Sequence, residues 1–406
     1  MRKVLLILLI SYTLLNVSGF CQWVPVTNGM GNISVNTFTY KENNLFAGTG
    51  SYASNTYGVF LSTDFGSTWS QTSMNTNHVF SLAVIGNNIV AGTNLGGIYI
   101  STNNGISWSQ TNFGNNRIVH DFEVTGNNIF AGTYAYGVYI SVDNGVNWAP
   151  TTFNSGSIHS LGVLGNKIFA GEFNNILYSS TNNGTNWSQT ALDNQYVLSL
   201  AVNNNCIYAG TAGNGIFIST NNGAAWDQTA LNNLTVYTIA VSGNYIFAGC
   251  NSQRVYMSSN NGMNWIQKDE GITTLSSKVN SLYILNNYIY AGTEYYGVYR
   301  RPLNELIGIQ PISNNIPETF SLSQNYPNPF NPTTKIRFDI RGNSATQTFL
   351  SVYDILGREV ATLVKEELKP GTYEVNWDAT NFVSGVYFYK LITQSYTETK
   401  KMILLK

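Results

Sequence analysis

A unit of about forty residues recurs along most of this chain, and it limits the possible folds more than any other feature. The phrase FAGT at Phe46–Thr49 returns in close variants, and its glycine occupies positions Gly48, Gly92, Gly132, Gly171, Gly210, Gly249 and Gly292. The spacings are 44, 40, 39, 39, 39 and 43 residues. An internal repeat of this length indicates an array of equivalent supersecondary units.

Each unit is predicted to contain four strands, called a to d from the inside outward. In the second unit, Val79–Val84 alternates as strand a, a GNN turn leads into Ile89–Thr93, residues 96–102 form strand c, and Trp108 begins strand d. Asn and Gly supply the positive φ angles that such tight hairpins need. Seven units rich in β-branched and aromatic residues predict an all-β, seven-bladed β-propeller over residues 22–302.

The seventh unit lacks its outer strand, since residues 279–302 contain YAGT and YGVYRR but no following tryptophan. The segment QWVPVTNGMGN (22–32) matches SWSQTNFGNN (107–116), so we expect it to supply the missing strand. The tryptophan series then has seven members: Trp23, Trp69, Trp108, Trp148, Trp187, Trp226 and Trp265. Pairing the amino-terminal segment with the last unit would remove the free strand edges.

A second phrase joins strands c and d of six units, with the form Ser-x-Asp/Asn-x-Gly-x-x-Trp, as in STNNGISWSQ (101–110). Its Asp or Asn is predicted to accept hydrogen bonds from backbone N–H groups of its own turn, and its Gly allows a backbone conformation that other residues avoid. These Asp and Asn residues are Asp64, Asn103, Asp143, Asn182, Asn221 and Asn260.

This phrase resembles the Asp-box, or BNR repeat, of sialidases and related propellers. The resemblance implies a structural role on the rim of the blades, away from the ligand face. Calcium binding is the alternative, but four of the six positions carry Asn, whereas hard cations prefer clustered carboxylates. We therefore predict no metal and no cofactor.

Residues 1–21 are predicted to be a secretory signal peptide. Arg2 and Lys3 precede an apolar run, Val4–Leu15, that is too short to span a bilayer. Cleavage is expected near Cys21, and lipid modification of Cys21 is the alternative. The rest of the sequence contains no other long apolar run, so we expect no transmembrane segment.

The composition changes after Arg301, where residues 303–319 are predicted to be a proline-containing linker. Short alternating segments with turns between them predict a small Ig-like β-sandwich over residues 320–406. The motifs NYPNPFNPTTKIRFDI, VYDILGREVATLV, GTYEVNWDATNFVSGVYFYKL and KKMILLK resemble the type A C-terminal sorting domain of type IX secretion substrates. The resemblance implies passage through the periplasm to the outer-membrane surface or the medium, with the type IX machinery as partner. An ordinary adhesive Ig-like domain is the alternative.

Comparison of the repeats within this chain separates the two ends of the propeller. The a–b turns are nearly uniform, whereas the b–c loops differ, as in GTGSYASNTYG, GTYAYG, GEFNN and GTEYYG. Varied loops on a rigid scaffold indicate a binding surface. The aromatic candidates in these loops are Tyr52, Tyr57, Tyr134, Tyr136, Phe173, Tyr295 and Tyr296. Their rings suit stacking on sugars or peptides, and the alternative is that they cap the loops of a chain with 26 tyrosines.

A second candidate group lies where the inner strands begin: Arg117, His120, Asp121 and His159. His120 and His159 occupy the same position in neighbouring units. A metal site or an acid–base cluster is one interpretation. Packing between blades is the other, because Phe80, Leu198 and Tyr237 occupy that position elsewhere.

The function classes follow from these features. Only 10% of residues are charged and the net charge is −1, which argues against nucleic acid as a partner. The propeller holds four arginines, two of them adjacent, so the resemblance to sialidases does not extend to their arginine triad. We predict non-catalytic binding of a glycan or a surface protein, with no catalytic residue assigned. The alternatives are a glycoside hydrolase or lyase that uses Asp121, Glu123, Glu172 or Glu294, and a structural surface component.

Overall fold

The computed structural model describes residues 22–51, 58–203, 205–243, 245–272, 278–303, 306, 310–313, 316–368, 370–379 and 382–406. The predicted signal peptide, Tyr52 and Tyr57 lie outside the described residues. Within these ranges the chain forms nine four-stranded antiparallel sheets, seven in the propeller and two in the tail. The predicted all-β fold is confirmed.

Strands are numbered in chain order, and β1 (Val24–Pro25) precedes the first blade. Blade 1 holds β2 (Val35–Lys41), β3 (Asn44–Thr49), β4 (Gly58–Ser62) and β5 (Ser70–Gln71). Blade 2 holds β6 (Val79–Ile85), β7 (Asn88–Thr93), β8 (Ile98–Ser101) and β9 (Ser109–Gln110). Blade 3 holds β10 (Val119–Thr125), β11 (Asn128–Thr133), β12 (Val138–Ser141) and β13 (Ala149–Pro150). Blade 4 holds β14 (Ile158–Leu164), β15 (Lys167–Glu172), β16 (Ile176–Ser180) and β17 (Ser188–Asp193).

Blade 5 holds β18 (Val197–Asn203), β19 (Cys206–Thr211), β20 (Ile216–Ser219) and β21 (Asp227–Gln228). Blade 6 holds β22 (Val236–Ser242), β23 (Tyr245–Cys250), β24 (Val255–Ser258) and β25 (Ile266–Gln267), with a 3₁₀ turn at Asn251–Gln253. Blade 7 holds β26 (Val279–Leu285), β27 (Tyr288–Thr293) and β28 (Gly297–Pro302).

The amino-terminal segment closes the ring, as the tryptophan series predicts. Strand β1 pairs with β28, and Val24 lies opposite Arg300. Trp23 is 1% exposed, and its indole Nε1 donates to the carbonyl oxygen of Lys268 at 2.7 Å. Its ring packs in a cluster with Phe247 and Met257 of blade 6. Trp23 therefore completes blade 7 and attaches it to blade 6.

The glycine of the FAGT phrase is required by close approach between blades. Gly92 lies opposite Ser81 in the a–b pair of blade 2. A Cβ at Gly92 would stand 2.4 Å from Ser81 Oγ and 2.7 Å from Cγ1 of Val119 in blade 3. Equivalent crowding by the next blade occurs at Gly48, Gly132, Gly171, Gly210, Gly249 and Gly292. The repeat preserves this glycine because any side chain would push the second strand of one blade away from the inner strand of the next.

The box turns close with one set of hydrogen bonds. In blade 1, Ser62 Oγ accepts from the N–H of Gly66 at 2.7 Å, and Asp64 Oδ1 accepts from the N–H of Thr68 at 2.8 Å. In blade 2, Asn103 Oδ1 accepts from the N–H four residues later at 2.9 Å. The other four boxes repeat both bonds. Asn replaces Asp here because each presents the same acceptor oxygen.

Box turns also contact the a–b hairpin of the preceding blade. Asn88 Nδ2 of blade 2 donates to the carbonyl oxygen of Asn144 in blade 3 at 2.9 Å. Lys167 Nζ of blade 4 donates to the carbonyl oxygen of Asn222 in blade 5 at 2.9 Å. The two types of uniform turn therefore share one side of the propeller, which we call the box face.

The tail is a sandwich of two sheets. The first sheet has the order β29 (Gln310–Ser313), β34 (Gly371–Asp378), β31 (Thr333–Ile340), β30 (Ser321–Leu322). The second has the order β33 (Glu359–Leu368), β32 (Thr346–Tyr353), β35 (Gly385–Ile392), β36 (Thr397–Leu404). Phe330, Trp377 and Tyr389 lie in the apolar core between them.

Parts of the segment predicted as a linker, 303–319, are structured. Leu303 and Leu306 pack in the same cluster as Trp23, and β29 pairs with β34 of the tail. Strand β29 could not be predicted from the sequence, because it has only four residues and lies in a segment rich in proline and polar residues.

The NYPNPFN motif covers the edge of the last strand. The N–H of Phe330 donates to the carbonyl oxygen of Ile403 at 3.0 Å, and Asn328 Oδ1 accepts from the N–H of Ile403 at 3.0 Å. Gln324 Nε2 donates to the carbonyl oxygen of Lys401 at 2.8 Å. The peptide bonds Tyr326–Pro327 and Asn328–Pro329 are cis. These contacts satisfy backbone groups of β36 that would otherwise face solvent as an unpaired edge.

Candidate binding face

The d–a and b–c loops meet on the side of the propeller opposite the box face, and we call this side the loop face. The N–H of Tyr134 donates to the carbonyl oxygen of Ile118 at 3.0 Å, so a b–c loop and a d–a loop are bonded together. Phe173 and Ser157 make the same bond in blade 4, at 2.8 Å. The varied loops therefore rest on a fixed backbone frame.

A β-bulge at the start of each inner strand forms the inner part of the loop face. In blade 3 the a–b register shifts between Val119 and Asp121, so His120 is the extra residue. The extra residues of the seven blades are all partly exposed: Asn36, Phe80, His120, His159, Leu198, Tyr237 and Asn280. Bulges turn a side chain out of the regular alternation. These seven side chains thus occupy the same position at the loop-face end of each inner strand.

His120 and His159 are stacked, with ring centroids 4.2 Å apart and planes 17° from parallel. Burial lowers the pKa of His159 to about 4, and burial together with the neighbouring His159 lowers the pKa of His120 to about 3. Both rings are therefore neutral at pH 7. Lone pairs of parallel stacked rings do not converge on one point, and the described residues contain no group of three or more His, Cys, Asp or Glu suited to a metal. This arrangement favours packing between blades over metal binding.

An exposed group of rings extends outward from the stacked histidines. Tyr134 is 51% exposed and Phe173 is 53% exposed. The Tyr134 ring lies 6.3 Å from His120, and the Phe173 ring lies 6.3 Å from His159. Tyr196 of blade 5 makes an edge contact of 4.9 Å with Phe173. We call the group Tyr134, Tyr136, Phe173 and Tyr196 the aromatic patch.

Arg117 holds one ring of the aromatic patch in place. Its guanidinium carbon lies 5.1 Å from the ring centroid of Phe113, 4.9 Å from that of Tyr136 and 5.4 Å from that of Tyr139. Its Nη1 also donates to the hydroxyl of Tyr139 at 3.1 Å. Cation–π contacts of this kind fix both partners. Arg117 thus positions Tyr136 on the loop face.

The remaining aromatic candidates lie in blade 7. Tyr295 is exposed, and its N–H donates to Ser34 Oγ at 3.2 Å. Tyr296 is partly buried and packs against the apolar cluster that contains Trp23. Blades 1 and 2 lie between blade 7 and the aromatic patch on one side of the ring, and blade 6 lies between them on the other, so these two rings form a separate group.

Asp121 lies in the seam between blades 3 and 4. Its Oδ2 accepts from the N–H of Leu161 at 2.8 Å, and its Oδ1 accepts from the N–H of Phe122 at 2.9 Å. Burial raises the pKa of Asp121 to about 7 against these two bonds. Burial raises the pKa of Glu123 to about 8, with a further contribution from the charge of Asp121. Two carboxyl groups that ionise near neutral pH therefore share one face of β10.

The other two acidic candidates lie on separate blades. Glu172 is buried at the end of β15, where burial raises its pKa and Asn174 Nδ2 lies 3.4 Å away. Glu294 of blade 7 lies 3.5 Å from Lys278 Nζ. The structure brings Asp121 and Glu123 together but does not add Glu172 or Glu294 to them.

Arg301 is buried where the ring closes, and its Nη1 lies 2.7 Å from Oε2 of Glu270.

Tyr196 is a residue of the aromatic patch that the sequence comparison missed. It lies in a d–a loop, just before β18, whereas only the b–c loops were compared for exposed rings. A scan of the residue before each inner strand would have found it.

The tail has a match among known families. A family model described as the secretion system C-terminal sorting domain matches residues 324–405. This protein is exported by the type IX secretion system. The match to the sorting domain places the chain at the outer-membrane surface or outside the cell. In the described part of the chain, no helix has the length and hydropathy that crossing a membrane requires.

The propeller that precedes the sorting domain also resembles known proteins. The BNR/Asp-box repeat model matches residues 99–110. YCF48 from Cyanidioschyzon merolae is 14% identical with a TM-score of 0.55, covering 69% of this chain and 98% of that chain. A structure described as YCF48 bound to D1 peptide is 14% identical with a TM-score of 0.57, covering 70% of this chain and 95% of that chain. The GH74 xyloglucanase from Xanthomonas campestris is 13% identical with a TM-score of 0.55, covering 80% of this chain and 60% of that chain. These similarities establish the fold, and a search of curated proteins found no match.

Proposed function

We propose that this protein is a non-catalytic binding propeller, which holds a glycan or a protein ligand at the cell surface through its loop face. The observation that carries the proposal is the aromatic patch, where Tyr134 and Phe173 are each about half exposed on neighbouring blades. Rings with one free face offer large contact area at small cost in side-chain entropy. Tyr hydroxyls at their edges can add hydrogen bonds to the same ligand.

The scaffold supports this proposal by its rigidity. Arg117 holds Tyr136, the stacked imidazoles back Tyr134 and Phe173, and the bulged inner strands fix the loops. A surface that is already ordered loses less entropy on binding. YCF48 provides a case in which a propeller of this fold holds a peptide.

The test is a binding screen of the mature full-length chain against a glycan array and against proteins of the cell envelope. Replacement of two patch rings, Tyr134→Ala with Phe173→Ala, should weaken the best ligand at least tenfold. Ile106→Ala is the matched control, since Ile106 is an exposed apolar residue on the box face. Equal loss in both variants, or no loss in the patch variant, would remove the loop face as the binding surface.

A glycoside hydrolase or lyase is the second candidate function. It is favoured by the raised pKa of Glu123, since a carboxyl that stays protonated near neutral pH can act as a general acid. Asp121 fits this role less well, because both its oxygens accept backbone hydrogen bonds. Release of reducing ends that survives the patch replacements but ends with Glu123→Gln would establish the enzyme. A purely structural surface component would show neither binding nor release.

A further inference from the structure

The two outer faces of the tail sandwich differ in chemistry. On the first sheet the outward residues are polar, and Lys335 Nζ lies 2.8 Å from the Glu374 carboxylate with Arg337 exposed beside them. Asn376 Nδ2 of the same face donates to the hydroxyl of Tyr245 in the propeller at 3.2 Å. This face is charged, and part of it already contacts the propeller.

The outer face of the second sheet carries a set of apolar side chains among polar ones such as Ser351, Lys390 and Lys401. The strand register forms three apolar pairs, all partly exposed: Phe349 with Ile392, Tyr353 with Phe388, and Val386 with Ile403. Alternate residues of the same strands fill the core, so these six side chains point outward. The outward face of a sandwich sheet ordinarily carries polar residues. The pairs Tyr353–Phe388 and Val386–Ile403 are neighbours, whereas the polar row of Ser351, Lys390 and Thr399 separates them from Phe349–Ile392. Exposed apolar groups rimmed by polar residues mark an interaction site.

The turn between β32 and β33 extends this surface. Asp354 Oδ1 accepts from the N–H of Leu356 at 2.9 Å and from that of Arg358 at 3.0 Å, and Arg358 Nε donates to Asp354 Oδ2 at 2.7 Å. This network fixes the turn with Ile355 71% exposed and Leu356 72% exposed. A groove of about 400 Å³ runs beside it. The six paired residues together with Ile355 and Leu356 are called the tail patch.

Charges at the tail patch limit what can bind it. Lys390 lies in register between Ser351 and Thr399 on the same face, and Lys401 lies beside Phe388. The carboxylate of Glu359 lies at the opposite edge, 3.5 Å from the Tyr353 hydroxyl. The β35–β36 side of the patch therefore presents two ammonium groups. A complementary partner is apolar at its centre and carries carboxylates against these lysines.

We propose that the tail patch is the surface through which the folded tail contacts a protein of the type IX export machinery. The partner surface is apolar, with carboxylates facing Lys390 and Lys401. The match of residues 324–405 to a sorting domain implies that the export machinery handles the tail. Of the two outer faces, the charged one is partly taken by the propeller, whereas the residues of the tail patch are partly or largely exposed. This inference does not depend on the ligand proposed for the loop face.

Export of the full chain in a bacterium that carries the type IX system tests the proposal. The double variant Ile355→Asp with Leu356→Asp should lower the exported fraction at least tenfold and leave the chain in the periplasm. Lys390→Glu should lower it several-fold. Arg337→Glu reverses a charge on the opposite face, and Ile106→Asp places an acid at an equally exposed apolar position of the propeller. Both controls should be exported like the unchanged chain.

A second measurement covers the case in which a variant fails to fold. A photo-reactive benzoylphenylalanine in place of Leu356 leaves the turn network intact and should cross-link to a protein of the export machinery. Thermal unfolding of the retained variants should match that of the unchanged chain. Normal export of the double variant would overturn the proposal. So would a cross-link to a second copy of this chain, which would make the patch a dimer contact.

Discussion

Asp121 Oδ2 accepts a hydrogen bond from the N–H of Leu161 in the next blade, 2.8 Å away. A carboxyl thus bridges two blades at the one inner-strand position that otherwise carries Ser or Thr. Ionisation strengthens this bond but places a charge in a poorly solvated seam, where Glu123 ionises as well. The stability of the propeller is therefore linked to pH around neutrality.

We expect the free energy of unfolding to fall as pH rises from about 6.5 to 8. The folded state holds the protons of Asp121 and Glu123 more tightly than the unfolded chain, since their pKa values are raised to about 7 and about 8. When the folded state binds more protons than the unfolded chain, the free energy of unfolding decreases as pH increases. Between pH 6.5 and 8 this decrease is roughly 2–3 kcal/mol. Thermal unfolding followed by circular dichroism at pH 6 to 9 measures this. The double variant Asp121→Asn with Glu123→Gln should show a flat profile, and a flat profile in the unchanged chain would contradict the prediction.

Acid should destabilise the propeller through its histidines. Burial lowers the pKa of His78 and His159 to about 4 and that of His120 to about 3, so the unfolded chain binds protons more strongly below pH 6.5. Between about pH 4 and 6.5 this effect partly cancels the carboxyl effect. His120→Phe, which keeps a ring at the position that is Phe80 in blade 2, should raise the unfolding temperature more at pH 4.5 than at pH 7. An equal shift at both pH values would argue against a protonation effect.

Loss of Trp23 should open the ring at blade 7. Trp23→Ala removes a fully buried ring and its bond to Lys268, which we expect to cost about 3–5 kcal/mol. Hydrogen exchange should rise most in β28, the strand that pairs with β1. Trp187→Ala is the control, since it removes a member of the same series within blade 4. The prediction fails if β28 stays as protected as in that control.

The box turn should depend on its serine more than on its charge. Ser62→Ala leaves the N–H of Gly66 buried without its acceptor and should cost about 1–3 kcal/mol. Asn103→Asp keeps the acceptor oxygen and should change stability by less than about 1 kcal/mol. Denaturant unfolding of the two variants compares them directly. A greater loss in Asn103→Asp would show that charge governs the turn.

A methyl group at Gly92 should separate blades 2 and 3. Gly92→Ala places Cβ against Ser81 and Val119, and such overpacking should cost about 1–3 kcal/mol. Gly385→Ala is the matched control, because nothing lies within 4 Å of a Cβ built there. Calorimetric unfolding of both variants measures the difference, and equal unfolding temperatures would refute the steric explanation.

The ring could be predicted from sequence because its rules are local and repeated. Each FAGT glycine, box serine and tryptophan recurs at a nearly regular spacing, and the missing outer strand of the seventh unit identifies Trp23 as its source. Position 121 was visible as the one carboxylate among hydroxyls, yet its bond to Leu161 was not. That bond depends on the distance between two neighbouring inner strands, and the spacing of residues in the sequence does not give this distance.

The candidate site was harder to predict from the sequence than the fold. Stacking of His120 on His159 follows from a bulge at the start of each inner strand, and a bulge of one residue leaves no mark in a repeat that all seven units share. The role of Arg117 was also hidden, since its three aromatic neighbours come from separate segments, one of them the loop between blades 2 and 3. The stacking of the two histidines and the contacts of Arg117 arise only when the chain has folded into the ring.

The pairing of β1 with β28 has a consequence for how this protein is made. The chain leaves the ribosome from its amino terminus, so the first strand to emerge is the one that must wait for residues near 300 before it finds its neighbour. Until then both ends of the growing array are unsealed and able to join other chains. Completion of the circle is thus a late event, which cannot precede the synthesis of β28.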